Sequence, residues 1–193
     1  KTYKNPIDPI FYTGNVGGLT VNPFRISNLP ATTNIKRNFY TWIISVIFYY
    51  NCIMFKIYRY NSSYKKQWDQ FVPSGNNGTI FHLRTFINYH PPNRFTDHSL
   101  VVKKKGKLFS VFPAAEIKIN KKTYLVSHPG TTVGSFVVPK NLSIADAIQL
   151  TRELVSYAKK NNFFGIKITL PPSLYQHRIS NYMDFAFFIQ GFG

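Results

Sequence analysis

The feature that most constrains the fold is one strongly periodic helix. Ser143 can cap its N-terminus, and Asp146 suits the positive first turn. Lys159 and Lys160 suit the negative last turn. The positions of the apolar stripe are Ile144, Ala147, Ile148, Thr151, Leu154, Val155 and Ala158. The pattern predicts a helix from Ser143 to Lys160 that packs this stripe on a sheet.

The segments on either side of the helix are predicted to be strands. Asn161 and Asn162 end the helix. The apolar segment Ile166–Leu170 then forms a strand that stops at two prolines, 171 and 172. A strand, a helix and a second strand in this order imply a crossover, which would return Ile166–Leu170 parallel to Thr123–Val126.

Two hairpin signals precede the helix. Ser99–Val102 and Leu108–Phe112 flank the turn Lys103–Lys107, which contains a glycine. Ala115–Ile119 and Thr123–Val126 flank a second short turn. Together they predict an antiparallel meander. With the crossover helix, they predict an α/β (α+β) layered domain with a mixed sheet.

Two shorter segments lie before the hairpins. Tyr64, Trp68 and Phe71 have helical spacing and predict a helix over Tyr64–Phe71, which Pro73, Gly75 and Gly78 would end. Leu83–Tyr89 is predicted to be a short strand or helix that leads into a turn at His90, Pro91 and Pro92.

Composition divides the chain near residue 60. Residues 1–60 contain one acidic residue, Asp8, and no sustained periodicity, so we predict an unassigned extension there and a domain over 61–193. The uncharged stretch Asn38–Phe55 has three interpretations. It is a buried helix or strand pair, a membrane-spanning helix with unfavourable central aromatic residues, or translated AT-rich DNA that is not native protein.

Charge and cysteine content limit the function classes. Lys and Arg outnumber Asp and Glu by 24 to 7, and the net charge of +17 favours anionic partners such as nucleic acid or membrane surfaces. Cys52 is the single cysteine, which excludes an internal disulfide or a thiolate metal cluster. We expect a cytoplasmic protein, with membrane association as the alternative, and no bound metal.

Three groups of polar residues are candidates for a site. His128 and Gly130 follow a strand, where loops often carry function, and His128 is the candidate catalytic base. The candidate substrate-binding residues are Tyr89, His90, Arg94, Gly130, Tyr175, His177, Arg178 and Asn181. The alternatives are a structural histidine in a plain turn and a solvated loop held by an Arg94–Asp97 pair. Topology predicts that His128 and the Tyr175–Asn181 loop line one acceptor pocket at the carboxyl edge of the sheet.

Three blocks, in order, resemble the GNAT-related, Fem-like (FemAB-type) acyltransferases. They are RTFINYHPPNRFTDHSL, the pair GKLFSVFPAA and LVSHPGTTVGSFV, and ITLPPSLYQHRISNYMDFAFF. The resemblance implies an enzyme that moves an acyl group from acyl-CoA, or an aminoacyl group from a charged tRNA, onto an amine. That amine would belong to a small molecule or a cell-envelope precursor of the peptidoglycan type.

The resemblance covers the front part of such a domain. These folds bind pantetheine and pyrophosphate beside a splayed strand and at the N-terminus of the following helix. No glycine-rich run of the kind that cradles a pyrophosphate stands between a strand and a helix after residue 60. We therefore expect the domain to be incomplete, with its donor site beyond Gly193.

A different class also fits the charge. A non-catalytic RNA-binding module would present basic residues beside aromatic-rich strands. The lysines concerned are Lys103, Lys104, Lys105, Lys107, Lys118, Lys121 and Lys122. They fall on hairpin turns, where solubilising charge is common, so we rank the enzyme above the binding module.

The first prediction concerns the donor. We expect CoA to bind weakly, because the backbone that would cradle its pyrophosphate is missing from the matched blocks. Calorimetric titration with CoA measures this. Low-micromolar binding that persists in added salt would contradict the prediction, whereas steep salt dependence would report only the basic charge.

Overall fold

The computed structural model describes residues 55–91 and 94–193. The strands are β1 Phe55–Arg59, β2 Thr96–Asp97, β3 Leu100–Lys104, β4 Lys107–Phe112, β5 Ala114–Ile119, β6 Lys122–Ser127 and β7 Gly165–Lys167. The helices are α1 Lys65–Ser74, α2 Arg84–Ile87, α3 Ile144–Lys160 and α4 Tyr182–Ile189. Among these residues, no helix has the length and apolar character that crossing a membrane requires. The interpretations of residues 38–54 lie outside the described residues.

The strand β1 lies before the predicted boundary at residue 60. It pairs antiparallel with β3, from Phe55 opposite Lys104 to Arg59 opposite Leu100. Phe55 is 2% exposed and belongs to the main core. The compositional boundary is therefore too late by at least these five residues, because a lysine- and aromatic-rich composition does not prevent strand pairing.

The predicted hairpins form, but they lie in two sheets. The strand orders are β1-β3-β4 and β2-β5-β6-β7. The chain passes from the first sheet to the second at Pro113, which has no N–H to continue the ladder. The Ser99 hydroxyl compensates, since it accepts the Ala114 N–H at 3.2 Å. The predicted meander is thus interrupted at the proline between its hairpins.

The crossover returns a parallel strand, as predicted. Tyr124, Leu125 and Val126 of β6 stand opposite residues 165–167 of β7. The strand is shorter than the predicted Ile166–Leu170, because the two backbones separate after Lys167. The domain is mixed α/β, with antiparallel hairpins and one parallel pair.

Helix α3 confirms the strongest sequence signal. Ser143 accepts a hydrogen bond from the Asp146 N–H at 3.1 Å. Its buried residues are Ala147, Leu150, Thr151, Leu154 and Ala158. The predicted stripe missed Leu150 and wrongly included Ile144, which is 38% exposed. The helix packs against the core that contains Phe112 and Leu125.

Helix α1 covers a second, smaller core. Trp68 and Val72 pack with Val101 and Val111, and Tyr64 and Phe71 lie against them as predicted. Pro73 does not end the helix, since it sits inside the last turn, where the helix continues to Ser74. Within the segment Leu83–Tyr89, residues Arg84–Ile87 form a short helix, which is one of the two predicted alternatives.

Two adjacent amides tie distant segments together. The Asn76 side chain accepts the Arg178 N–H at 2.8 Å and donates to the Arg178 carbonyl at 2.9 Å. The Asn77 side chain donates to the Phe136 carbonyl at 2.8 Å and accepts the Val138 N–H at 3.0 Å. We call Asn76 and Asn77 the amide clamp, because it joins the end of α1 to the loop before α3 and to the segment before α4.

The second prediction concerns the amide clamp. We expect Asn76→Ala to lower the free energy of unfolding by about 2–3 kcal/mol, because both polar backbone groups of Arg178 lose their partner. Urea unfolding measures the loss. Asn161→Ala is the matched control, since this exposed amide makes one bond within its own helix end, and we expect a change below about 0.5 kcal/mol. Equal losses in both variants would contradict the clamp.

Candidate functional site

A cleft lies beside the point where the chain changes sheets. His128 directly follows β6, and its N–H donates to the Pro113 carbonyl at 3.1 Å. The cleft has a volume of about 240 Å³. Its walls are formed by Arg84, Ile87, Asn88, His90, Pro91, Phe95, Asp97 and His128. We call it the histidine cleft.

Two imidazoles face each other in the histidine cleft. The rings of His90 and His128 are nearly parallel, with centroids 6.1 Å apart, and the Phe95 ring meets His128 edge-on at 5.1 Å. His90 Nε2 donates to the Gly130 carbonyl at 3.2 Å. Gly130 has φ +98°, and a Cβ there would stand 2.7 Å from His90 Nε2. Only glycine fits this contact.

His128 is held in its neutral form. Its side chain is buried, with 4% of the residue exposed. Burial lowers the pKa of His128 to about 4, and the carboxylate of Asp97 opposes this only in part. Nδ1 is sealed from solvent and has no hydrogen-bond partner among the described residues. The imidazole is therefore a neutral acceptor at physiological pH.

The sequence analysis missed Arg84, which holds the wall of the cleft. This buried guanidinium pairs with the Asp97 carboxylate at 2.7 Å and stacks on the Tyr60 ring at 3.8 Å. Burial alone would raise the pKa of Asp97, but hydrogen bonds and charge from Arg84, with further hydrogen bonds from Ser99, hold it below the usual value. The one available signal was the position of Arg84 at the start of the first of the three blocks.

The alternative interpretation, a loop held by an Arg94–Asp97 pair, is wrong, because Asp97 pairs with Arg84. Arg94 is exposed, and its guanidinium lies 5.1 Å from the centroid of the Phe95 ring. Tyr89 is also on the surface, with 85% of the residue exposed. His98 points elsewhere, between Glu116 at 2.7 Å and the Tyr157 hydroxyl at 2.8 Å. Of the predicted site residues Tyr89, His90 and Arg94, His90 is the one that lines the cleft with His128.

The third predicted group lies elsewhere. Tyr175, His177, Arg178 and Asn181 are not part of the histidine cleft. Arg178 lines a different cleft, together with Gln176 and other residues, and that cleft shares no lining residue with the histidine cleft. The prediction of one joint acceptor pocket is therefore wrong. The reason is that Asn76 holds His177 and Arg178 beside the end of α1 through backbone and side-chain hydrogen bonds.

The gap between the separating strands β6 and β7 is filled by the chain itself. The Thr169 N–H donates to the Ser127 hydroxyl at 2.9 Å, and the Thr169 carbonyl accepts the Gly134 N–H at 2.8 Å. A Cβ at Gly134 would stand 2.6 Å from the Ser127 Cβ, so the insertion needs glycine. An extended ligand would have to displace this loop to lie between the strands.

No group of three or more His, Cys, Asp or Glu side chains within residues 55–91 and 94–193 is arranged to hold a metal ion.

The third prediction concerns pH. Burial lowers the pKa of both His82 and His128 from 6.5 to about 4. Between about pH 6.5 and pH 4 these histidines are protonated in the unfolded chain but not in the folded one. We therefore expect the free energy of unfolding to fall as pH decreases through this range. His82 Nδ1 accepts the Thr79 N–H at 3.2 Å, so protonation would also break this bond.

Urea unfolding between pH 4.5 and 6.5 would measure this slope. We expect His128→Asn to reduce the slope by about 1.4 kcal/mol per pH unit, because one proton fewer is then taken up on unfolding. His177→Asn, at a histidine outside both buried sites, should leave the slope unchanged. A wild-type slope that His128→Asn does not alter would contradict the burial effect.

Comparison with known proteins gives backbone similarity alone. No protein-family model matches the chain, and no curated protein matches it. A solved structure from Thermus thermophilus is 14% identical, covering 72% of this chain and 88% of that one, with a TM-score of 0.44. An aminoglycoside acetyltransferase from an uncultured soil metagenomic sample is 10% identical, covering 64% and 84%, with a TM-score of 0.43. A GNAT family acetyltransferase from Staphylococcus aureus is 13% identical, covering 67% and 94%, with a TM-score of 0.42. At scores below 0.5 these similarities carry no weight for activity.

Proposed function

We propose that the chain is an N-acyltransferase domain that holds an acceptor amine in the histidine cleft. The proposal is supported by the three sequence blocks that resemble Fem-like acyltransferases and by the way two of them meet. His90 and Phe95 come from the first block, and His128 and Gly130 come from the second. His90 and Gly130, which are 40 positions apart, are joined by a hydrogen bond in this cleft.

The observation that carries the proposal is the buried Nδ1 of His128, which has no hydrogen-bond partner among the described residues. Buried polar groups nearly always have a partner, and one without a partner calls for an explanation. Since Nδ1 is sealed from solvent, we assign the reactive role to Nε2. A neutral imidazole at the wall of a cleft can accept a proton from a bound amine.

The step that we propose is aminolysis of an activated acyl group. The amine nitrogen attacks the acyl carbon, a C–N bond forms, and the C–S bond of a thioester, or the C–O bond of an aminoacyl ester, breaks. The nitrogen becomes cationic and much more acidic as it attacks, so a weakly basic imidazole suffices to take its proton. His128 then returns that proton to the leaving thiolate or alkoxide. The Asp97 carboxylate, whose charge favours the cation, stabilises the imidazolium.

Acyl-CoA is the donor that we favour over a charged tRNA. A tRNA donor needs a free basic surface, whereas two lysines of the first hairpin are engaged within the protein. Lys104 pairs with Asp146 at 2.6 Å, and Lys103 lies over the Tyr64 ring at 5.0 Å. The loop at Gly134 fills the gap between β6 and β7, so the proposal places the donor outside the described residues. A cell-envelope amine is the acceptor that the Fem-like resemblance favours.

The fourth prediction tests the role of His128. We expect His128→Ala to lower turnover about 10²–10⁴-fold, because the proton acceptor is removed. Thiol release from acetyl-CoA by the full-length enzyme, with a panel of amines, measures turnover, and thermal unfolding measures the folded fraction.

His98→Ala is the matched control. His98 is also buried, but its two ring nitrogens are bonded to Glu116 and Tyr157. Its loss should lower the melting temperature while the folded fraction keeps its turnover. Near-normal turnover in well-folded His128→Ala would sink the catalytic role of His128.

A further inference from the structure

A second cleft lies between the amide clamp and the start of α4. Its cavity volume is about 30 Å³, which admits the head of a small group rather than a whole substrate. Residues from three separate segments line it, and the ones that matter here are Ser135, Lys140, Arg178, Met183 and Asp184. None of them lines the histidine cleft.

The start of α4 provides backbone donors to this cleft. The Tyr182 N–H donates to the Ser180 hydroxyl at 3.2 Å, and the Phe185 N–H donates to the Asn181 carbonyl at 2.9 Å. Between them, the N–H groups of Met183 and Asp184 have no partner among the described residues. Unpaired N–H groups at a helix N-terminus carry partial positive charge and favour an anion.

Ser135 is an independent sign of a ligand. It lines the same cleft and is 1% exposed. Within residues 55–91 and 94–193 its hydroxyl makes no hydrogen bond, and the oxygen is not among the atoms sealed from solvent, so it is free to bond to a group in the cleft. The Ser135 backbone has φ +91°. The preceding residue, Gly134, donates its N–H to the Thr169 carbonyl, which fixes the position of this backbone.

Two cations complete the cleft. Lys140 and Arg178 line it and keep solvent-accessible side chains, so both can turn towards a ligand. The amide clamp fixes the Arg178 backbone through both of its polar groups. Among the described residues, Asp184 is the only carboxylate in the lining, and the two cations outnumber it. Arginine and backbone N–H groups are the donors that recognise oxyanions best.

We propose that this second cleft binds an oxyanion, the carboxylate or phosphoryl group of a ligand. The anion accepts hydrogen bonds from the α4 N-terminus and the Ser135 hydroxyl, and its charge is balanced by Lys140 and Arg178. The site is separate from the histidine cleft, and its binding does not depend on the acyltransferase activity. A substrate with an amine and a distant acidic group would be held at two points.

Titration of the ¹⁵N-labelled full chain tests the site directly. Inorganic phosphate and acetate, added separately at constant ionic strength, should give saturable shifts of the Met183 and Asp184 amide signals. Saturation by phosphate alone assigns a phosphoryl group, saturation by acetate alone assigns a carboxylate, and saturation by both assigns an oxyanion site without selectivity. No saturable shift with either anion would overturn the proposal.

Three variants separate the site from the general basic charge. Arg178→Gln should weaken binding about 10-fold, because a charge-assisted hydrogen bond is lost. Ser135→Gly deletes the hydroxyl and accommodates the positive φ, so binding should weaken without a fall in melting temperature. Lys159→Gln removes an exposed charge at the other end of α3 and should leave binding unchanged. Equal weakening by Lys159→Gln and Arg178→Gln would show that only net charge attracts the anion, and the site would be rejected.

Discussion

The break in the sheet at Pro113 is the constraint on which the rest of the structure depends. Proline cannot donate to a ladder, and at this residue the chain leaves one sheet and enters another. The Ser99 hydroxyl accepts the Ala114 N–H, and the Pro113 carbonyl accepts the His128 N–H in register with the β5–β6 ladder. The histidine is thereby fixed where the two sheets part.

A buried cation then holds the wall of this cleft. Burying a guanidinium is unfavourable unless it is paired and hydrogen-bonded. The two terminal nitrogens of Arg84 meet that requirement through Asp97, Ser99 and Asn88, at 2.7, 2.9 and 3.0 Å, and the guanidinium lies over the face of Tyr60. Its Nε has no hydrogen-bond partner among the described residues. Arg84 belongs to α2 and Asp97 is the last residue of β2, so the ion pair joins these two elements. Removing one partner would leave a buried charge uncompensated, so the network enforces one arrangement of the wall.

Features encoded within one continuous segment could be predicted from the sequence, whereas contacts between distant residues could not. The α3 helix has its cap, its stripe and its terminal lysines within one continuous segment, so the sequence alone predicts it. The amide clamp joins residues 102 positions apart in the chain through side-chain to backbone bonds, and no periodicity reports such contacts. The same holds for the site. His128 and His90 could be chosen as candidates from the sequence. The partner of Asp97 could not, because the buried Arg84 forms the ion pair although Arg94 is closer in the chain.

The loop that fills the gap between β6 and β7 connects the two clefts. Gly134 donates to the Thr169 carbonyl, and its own carbonyl faces His82 Nε2 at 3.4 Å. The next residue, Ser135, lies in the second cleft, while the strand before the loop ends at His128 in the first. A parallel pair left open would expose unpaired N–H and C=O groups, so some chain or ligand must occupy the gap. Since the loop occupies it, the same backbone that satisfies the strands also links His128 in the first cleft to Ser135 in the second.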